Sequence, residues 1–290
     1  MELDRRSFLK TFAGAVGLAL LQRTAFGRNA HVASSKSDVA MLVNVSKCTG
    51  CWECYAACKN HNNLEGTVLY DPEDPPELSS NCWITLFALK RGRAWRLRKH
   101  ACMHCTDASC EQVCPTGAIS HQGVAVVTDQ EWCAGCGYCV QACPFSVPHI
   151  DDHTGTARKC TFCIDRISNG QEPACADACP TDAIQFGRRT DLIAAAATQV
   201  RALRNDGHPD ASLYGEHALG GLHVIYVLDD RPSVYGLPEA PQPVISDAAF
   251  KWLSGIITFS VAAVLPLWLL FRRKRQTETG HQTAVEEGEK

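Results

Sequence analysis

Cysteine is the residue type whose number and spacing could do chemistry in this chain. The 290-residue sequence contains 17 cysteines, and all of them lie between Cys48 and Cys179. An odd number of thiols excludes complete internal disulfide pairing. Sixteen of the 17 fall into four groups, with Cys82 left over; the groups are Cys48, Cys51, Cys54 and Cys58; Cys102, Cys105, Cys110 and Cys114; Cys133, Cys136, Cys139 and Cys143; and Cys160, Cys163, Cys175 and Cys179.

The spacing inside these groups is that of iron-sulfur ligands. In the first and third groups, intervals of two, two and three residues separate the cysteines, as in bacterial ferredoxins. The second and fourth groups have the same order with an insertion before the third cysteine, and proline follows every group except the first, where Lys59 stands. The pattern therefore predicts sixteen thiolate ligands for four 4Fe-4S clusters, and Cys82 is predicted to be spare.

Each cluster is predicted to draw its ligands from two groups. In two-cluster ferredoxins the fourth cysteine of a group ligates the other cluster of the pair. The second and third groups are contiguous and form one such unit, so the first and fourth must pair across it. A repeat supports this arrangement, because Cys114–Ile119 (CPTGAI) recurs as Cys179–Ile184 (CPTDAI). The predicted ligand sets are the Cys48 set (Cys48, Cys51, Cys54 and Cys179), the Cys160 set (Cys160, Cys163, Cys175 and Cys58), the Cys102 set (Cys102, Cys105, Cys110 and Cys143) and the Cys133 set (Cys133, Cys136, Cys139 and Cys114).

Two other uses of cysteine compete with cluster binding. Structural zinc sites need two cysteine pairs rather than triplets. Disulfides between thiols two residues apart would close strained short loops. Both alternatives are disfavoured, although a membrane-tethered zinc scaffold stays open as a function of a different class. The histidines beside the groups have no paired spacing and are interpreted as hydrogen-bonded or exposed side chains; they are His100, His104 and His149.

Composition narrows the class of function further. The formal net charge is -3, from 28 Lys and Arg against 31 Asp and Glu, which gives no support to nucleic-acid binding. The chain has 46% hydrophobic residues and is long enough for one or two domains with real cores. It shows no glycine-rich phosphate loop, no Ser-His-Asp set and no paired carboxylates. We therefore predict no catalytic site in this chain.

The N-terminal residues resemble a twin-arginine export signal. Arg5 and Arg6 are followed by Phe8, Leu9 and Lys10 and then by a mildly apolar stretch, whereas Asp4 replaces the usual serine or threonine. Small residues predict cleavage after Gly27. An amphipathic first helix is the alternative. The resemblance implies export of a protein already folded around its cofactors.

A membrane-spanning helix is predicted near the C-terminus. Trp252 to Phe271 is an uncharged run of twenty residues, which at ~1.5 Å per residue spans ~30 Å of hydrocarbon. The four cations from Arg272 to Arg275 follow at once and are expected to stay in the cytoplasm. A buried helix of a soluble domain is the alternative. The cluster domain is therefore predicted on the periplasmic side of a bacterial inner membrane.

Other elements are predicted around the cysteine groups. A hairpin is expected from Trp83–Leu89 and Ala94–Arg98, with its turn at Gly92. A helix capped by Thr190 is expected over Thr190–Asn205, and a strand over Leu222–Leu228. The proline-rich residues 232–244 are expected to form an extended strap to the membrane helix.

The hairpin carries a cationic stretch that is interpreted as a solvated face. A docking surface for a partner protein is the alternative, because a redox partner must approach the clusters closely. The cations are Lys90, Arg91, Arg93, Arg96, Arg98 and Lys99.

Together these features predict an α+β protein with two ferredoxin-like two-cluster units, one inserted in the other, and a C-terminal transmembrane helix. The predicted segments are a signal peptide (1–27), a linker (28–40), a double ferredoxin-like domain (41–188) with the inserted unit at about 96–150, a helix, strand and strap region (189–250), the membrane helix (251–271) and a cytoplasmic tail (272–290).

Residues 40–271 resemble the iron-sulfur beta subunit of membrane-bound formate dehydrogenases. The quartets alone indicate only the wider superfamily, which includes subunits of nitrate, dimethyl sulfoxide and polysulfide reductases. The more specific passages are Cys102–Cys105 (CMHC), Cys136–Cys139 (CGYC), Gly170–Cys175 (GQEPAC), Gly221–Leu228 (GLHVIYVL) and Tyr235–Pro238 (YGLP). The iron-sulfur subunit of a membrane-bound nickel-iron hydrogenase is the alternative, and the export signal favours it.

The resemblance implies an electron-transfer role without catalysis. In this family single electrons move through the clusters between a catalytic subunit, here a molybdenum or tungsten oxidoreductase, and a membrane cytochrome b and quinone. The implied partners are therefore the catalytic subunit, the cytochrome b subunit and the lipid bilayer.

Overall fold

The computed structural model describes residues 38–66, 74–91 and 94–243, together with 253–260, 262, 264–266 and 268. All of these except Asp38 belong to one compact unit, Val39–Lys290. The predicted export signal, the linker up to residue 37 and the cytoplasmic tail lie outside the described residues.

Short strands and short helices alternate along the chain. The strands are β1 (Val39–Asn44), β2 (Thr85–Arg91), β3 (Ala94–His100), β4 (Ile119–Gln122), β5 (Ala125–Thr128), β6 (His149–Ile150), β7 (Ala157–Arg158), β8 (Ile184–Arg188), β9 (Ser212–Tyr214) and β10 (Val224–Leu228). The helices are α1 (Glu53–His61), α2 (Ser109–Gln112), α3 (Tyr138–Ala142), α4 (Ile164–Ser168), α5 (Ala174–Asp177) and α6 (Arg189–Asn205), with 3-10 turns at Val45–Lys47, Ala218–Gly220 and Pro232–Tyr235.

A four-stranded sheet joins distant parts of the sequence. Its strand order is β8-β1-β10-β9, with β1 antiparallel to β8 and parallel to β10. The strand before the first cysteine group therefore pairs with the strand that follows the fourth group. Successive side chains of a strand face opposite sides, so Leu42 packs with α6 while Met41 and Val43 belong to the larger core that contains the cysteines.

Three two-stranded ribbons complete the described sheets. They pair β2 with β3, β4 with β5 and β6 with β7. The predicted hairpin is confirmed, because β2 and β3 pair antiparallel from Thr85 opposite His100 to Arg91 opposite Ala94. The first strand begins at Thr85, later than the predicted Trp83, and both strands continue past their predicted ends, to Arg91 and His100. The predicted turn at Gly92 lies outside the described residues.

Two predicted boundaries are wrong. The last long helix begins at Arg189 with Arg188 as its N-cap, so Thr190 lies inside it. The strand predicted from Leu222 begins at Val224, because the amides of Leu222 and His223 bond to the carbonyls of Gly215 and Met103.

The first part of the proline-rich strap is also not extended. Pro232–Tyr235 forms a 3-10 turn, in which proline suits the first position because it needs no amide donor there. Tyr235 is 1% exposed and Leu237 is 3% exposed, so this segment packs into the core.

The interpretation of the hairpin cations as a solvated face is wrong for two of them. Lys90 is exposed, but Arg98 and Lys99 are only 2% and 3% exposed. The Arg98 guanidinium lies 5.4 Å from the Phe87 ring centroid, and its Nε donates to the Tyr235 carbonyl at 2.9 Å. Neighbouring residues of a strand face opposite sides, so β3 is covered on both faces here.

The described residues of the predicted membrane helix are helical over 253–260. Its apolar side chains are exposed, including Leu253 at 55%, Ile257 at 56% and Phe259 at 75%. Within the described part of the chain, no helix combines the length and apolar character needed to cross a bilayer.

Candidate metal centres

The loop that begins each cysteine group contains a residue in the left-handed backbone conformation. It always stands immediately before the second cysteine, and the four residues and their φ angles are Gly50 (72°), His104 (47°), Gly135 (65°) and Phe162 (60°). Glycine adopts this conformation without steric cost, whereas other residues do so rarely. The four loops therefore share one local turn although their sequences differ.

The third cysteine of each group lies in a short helix. Cys54, Cys110, Cys139 and Cys175 belong to α1, α2, α3 and α5, respectively. Proline cannot continue a helix, since it lacks an amide donor and its ring clashes with the preceding turn. Three of the helices end before the fourth cysteine and its proline. In the first group Lys59 replaces proline, and α1 continues through Cys58 to His61.

The four thiols of the Cys48 set surround one cavity. Cys48, Cys51, Cys54 and Cys179 all lie in the lining of this cavity. Burial raises the pKa of the Cys48 thiol, and the neighbouring Cys51 and Cys179 add to this effect. Cys179 is thus close to Cys48 although 131 positions separate them in the sequence.

The Cys160 set surrounds a second cavity. Its lining includes Cys58, Cys160, Cys163 and Cys175. Burial, followed by the thiols of Cys160, Cys175 and Cys163, holds the pKa of Cys58 well above its ordinary value. All four thiols of this set are buried.

The Cys102 set is joined by electrostatic interactions between its thiols. Burial and then Cys102, Cys143 and Cys110 raise the pKa of Cys105. Burial also raises the pKa of Cys143 to about 11, with a contribution from Cys102. Cys143 therefore lies near the thiols of the preceding group, as the crossed pairing predicts.

The four thiols of the Cys133 set are connected partly by electrostatic interactions and partly by packing. Burial, Cys133 and Cys136 raise the pKa of Cys139. Cys114 packs in the same small apolar cluster as Cys133 and Cys139. Burial alone raises the pKa of Cys114, but hydrogen bonds from the Ile119 backbone and from Thr116 lower it by more.

Contacts between the sets place them in one row. Besides burial, Cys175 raises the pKa of Cys54 to about 12, so the Cys48 set neighbours the Cys160 set. Burial and the thiol of Cys102 raise the pKa of Cys160, whereas the cation of Lys99 lowers it. Burial and the thiols of Cys102, Cys143 and Cys139 raise the pKa of Cys110, whereas the cation of Lys159 lowers it. The order is therefore the Cys48, Cys160, Cys102 and Cys133 sets. Cys51 and Cys136, at the two ends, are exposed.

The donor set fits iron-sulfur clusters. The Cys48 set and the Cys160 set each line a cavity with four thiols, which are the ligands that a cluster needs. Thiols must lose their protons to bind a metal, so cluster binding is coupled to deprotonation. A cubane cluster separates its thiolates more widely than a single ion does. In the described ranges, no group of three or more His, Cys, Asp or Glu side chains is arranged to hold a single metal ion.

Cys82 stands apart from the four sets. Its thiol is buried and donates to the Ile84 carbonyl at 3.3 Å. It also contacts the Tyr55 hydroxyl, and the cation of Lys59 lies nearby. These contacts satisfy the thiol without a metal.

Sequence reasoning did not identify the buried cations and the buried imidazole around the sets. Lys99 and Lys159 are each 3% exposed, and His104 is fully buried. The Val126 amide donates to His104 Nδ1 at 3.0 Å, which leaves the proton on Nε2. Burial and then Lys159 hold the pKa of His104 well below its usual value. Nothing in local sequence distinguishes a buried lysine from an exposed one.

A segment far along the chain also supports the second group. The Thr106 amide donates to the Gly221 carbonyl, and the Asp107 amide to that of Leu219. Cys105 also forms an isolated β-bridge with Leu222. The start of the Gly221–Leu228 passage therefore lies against the loop that carries Cys105.

Family comparisons agree with this donor set. Two family models, each described as a 4Fe-4S dicluster domain, match residues 47–118 and 93–189. The matches together cover all four cysteine groups. They favour iron-sulfur clusters over structural zinc.

The most similar curated proteins include iron-sulfur and electron transfer subunits of formate dehydrogenases and of a thiosulfate reductase. The nitrate-inducible formate dehydrogenase iron-sulfur subunit of Escherichia coli K12 is 39% identical over 235 residues, which cover 76% of this chain and 79% of that protein. The formate dehydrogenase iron-sulfur subunit of Haemophilus influenzae is 37% identical over 231 residues, covering 74% and 73%. The thiosulfate reductase electron transfer subunit of Salmonella typhi is 43% identical over 156 residues, covering 52% and 77%.

Proposed function

The chain belongs to the family of formate dehydrogenase iron-sulfur subunits, and we propose that it relays single electrons between a catalytic formate dehydrogenase subunit and a membrane cytochrome b subunit. The two dicluster domains and these relatives confirm the prediction of four 4Fe-4S clusters. The relatives are electron-transfer subunits rather than catalytic ones. Each bound cluster supplies a centre that accepts and releases one electron.

The proposal rests on the order of the four thiol sets, in which each set neighbours the next. The two end sets have an exposed thiol, Cys51 or Cys136, whereas the Cys160 set between them is wholly buried. An electron can thus enter at one surface and leave at another while the centre of the Cys160 set stays protected from water. The proposed ligands are the sixteen cysteines of the four sets.

The sheet supports the proposed insertion of one two-cluster unit into another. Strand β1 precedes the first cysteine group and pairs with β8, which follows the fourth group. The second and third groups lie between them in sequence. The outer unit is therefore closed by its own two ends, as an insertion requires.

We also propose a membrane anchor and an export signal. The uncharged run from Trp252 to Phe271 and the following cations support a spanning helix, and the exposed apolar side chains of 253–260 agree with it. Arg5 and Arg6 support twin-arginine export. The cluster domain then lies in the periplasm, next to a membrane cytochrome b subunit. Protease added to spheroplasts should degrade it, and its survival would contradict this topology.

The relay is tested by interrupting the row. The tagged complex is purified without oxygen, and formate is added while absorbance and electron paramagnetic resonance (EPR) spectra are recorded. In the parent, all four clusters should be reduced. Cys163→Ser removes a ligand of the buried Cys160 set, so clusters beyond the interruption should stay oxidised on the timescale of turnover. Cys82→Ser is the control and should behave like the parent.

The same purification distinguishes the hydrogenase alternative. A molybdenum or tungsten subunit that co-purifies, with reduction by formate, supports the proposal. If a nickel subunit co-purifies and only hydrogen reduces the clusters, the hydrogenase function replaces this proposal. A colourless protein that contains zinc would exclude both relay functions.

A further inference from the structure

Lys99 is buried at the junction between two ligand sets. It lies on β3 and is 3% exposed, and its Nζ donates to the Met41 sulfur at 3.5 Å. A thioether is a weak acceptor. Among the described residues, Lys99 takes part in none of the ion pairs with Asp or Glu. The ammonium group therefore needs another source of negative charge.

The geometry indicates where that charge comes from. Lys99 lines the cavity of the Cys48 set. Met41, its hydrogen-bond partner, lines the cavity of the Cys160 set. The ammonium group thus stands between two cavities, each of which is lined by four thiols.

The electrostatic contacts lead to the same conclusion. The thiols of Cys175, Cys160 and Cys54 lie close enough to Lys99 to interact with its charge. Cys54 belongs to the Cys48 set, and Cys160 and Cys175 belong to the Cys160 set. Both sets therefore interact with one cation.

The backbone of Lys99 is held in place. Its carbonyl accepts hydrogen bonds from the Tyr226 hydroxyl at 2.9 Å and from Arg98 Nη1 at 3.3 Å. These contacts tie β3 to β10, so the cation cannot withdraw to solvent without disrupting the core.

We propose that the ammonium group of Lys99 raises the reduction potentials of two neighbouring clusters, those of the Cys48 set and the Cys160 set. A fixed positive charge in a low-dielectric interior favours the state with the additional electron. Because the charge stands between the two sets, it favours the reduced state of both clusters. This inference rests on the proposed ligand sets and electron-relay function.

Lys159 provides an internal comparison. It is also 3% exposed, but its ammonium group donates to the backbone carbonyls of Val126 and Cys160. Its cation lowers the pKa of Cys110, against burial, so it stands beside the Cys102 set. Removing its charge should therefore affect the cluster of the Cys102 set, on which Lys99 is not proposed to act, as well as that of the Cys160 set.

The test is an EPR-monitored redox titration of the purified complex. Lys99→Met keeps most of the side-chain volume and removes the charge. We expect the midpoint potentials of two clusters to become more negative, while that of the Cys133 set is unchanged. Signals are assigned with Cys51→Ser and Cys163→Ser. The exposed Lys90 provides the control variant, Lys90→Met, in which all potentials should equal those of the parent. Lys159→Met should shift the Cys102 set.

The outcomes separate this inference from the relay function. Unchanged potentials in Lys99→Met, or an equal shift of all four, would overturn the role of Lys99 while the parent spectra still establish the clusters. Absence of clusters from the parent would overturn the relay itself. If Lys99→Met loses iron, the iron content of Lys99→Arg is measured as well. Retention of both clusters in Lys99→Arg supports the need for a positive charge, and their loss refutes it.

Discussion

The rings of His104 and Phe162 stack in the interior, with their centroids 4.6 Å apart and their planes 35° from parallel. Each residue stands immediately before the second cysteine of its group, in the second and fourth groups respectively, and each has a positive φ. Equivalent positions of two cysteine groups are therefore in direct contact. This contact joins the Cys102 set to the Cys160 set in the middle of the row.

The first prediction concerns this contact. Phe162 is 1% exposed and also packs on Phe186, with centroids 6.1 Å apart. Truncation in Phe162→Ala should leave a cavity and cost ~3–5 kcal/mol of stability. The measurement is the temperature at which cluster absorbance is lost, which should fall. Trp132→Ala, at a residue that is 68% exposed, is the control and should leave that temperature unchanged.

The second prediction concerns the loop that carries Cys136. Gly135 has φ +65°, and a Cβ there would lie 2.0 Å from the Gly155 carbonyl oxygen. Gly135→Ala should therefore displace the loop and make the Cys133 cluster sensitive to oxygen. Gly123 has nearly the same φ, +62°, with open space around its Cβ position. Gly123→Ala should cost only the backbone strain of ~1–2 kcal/mol, and equal cluster loss in both variants would contradict the explanation.

Much of the proposed site can be derived from cysteine spacing, because ligand geometry is local. The proposed ligand type and crossed pairing rest on intervals of two and three residues, and the electrostatic interaction between Cys143 and Cys102 supports the pairing. Lys59, which stands where the other groups have proline, also explains why α1 alone continues past its fourth cysteine to His61. These features are encoded within a few residues of each thiol.

Other features depend on contacts between distant segments. The run Arg96–Lys99 is strongly cationic and resembles an exposed edge, yet Arg98 lies among aromatic rings and Lys99 between two sets of thiols. The left-handed conformations of Gly50 and Gly135 have a local signal in glycine. Those of His104 and Phe162 have none, because tertiary packing imposes them.

The third prediction concerns the carboxylate that ties the hairpin to β10. Asp229 is fully buried at its side chain; Arg96 Nε lies 2.8 Å from it, and the Tyr235 hydroxyl donates to it. Asp229→Ala should cost ~2–3 kcal/mol, because two charge-assisted contacts are lost. Asp191 pairs with Arg188 at 2.6 Å on the surface, so Asp191→Ala should cost less than ~1 kcal/mol. Thermal denaturation of the two variants compares them, and equal losses would contradict the ranking.

The fourth prediction tests the crossed ligands with two cysteines of one group. Cys139 interacts with Cys133 and Cys136, whereas Cys143 interacts with Cys102. Cys139→Ala should therefore disrupt the cluster of the Cys133 set, and Cys143→Ala that of the Cys102 set, although both residues belong to the third group. Iron content and EPR spectra of the purified complex report which signal disappears. If both substitutions removed the same signal, each group would hold its own cluster and the crossed pairing would be wrong. Cys82→Ser should leave iron content unchanged, because its thiol is satisfied by the Ile84 carbonyl.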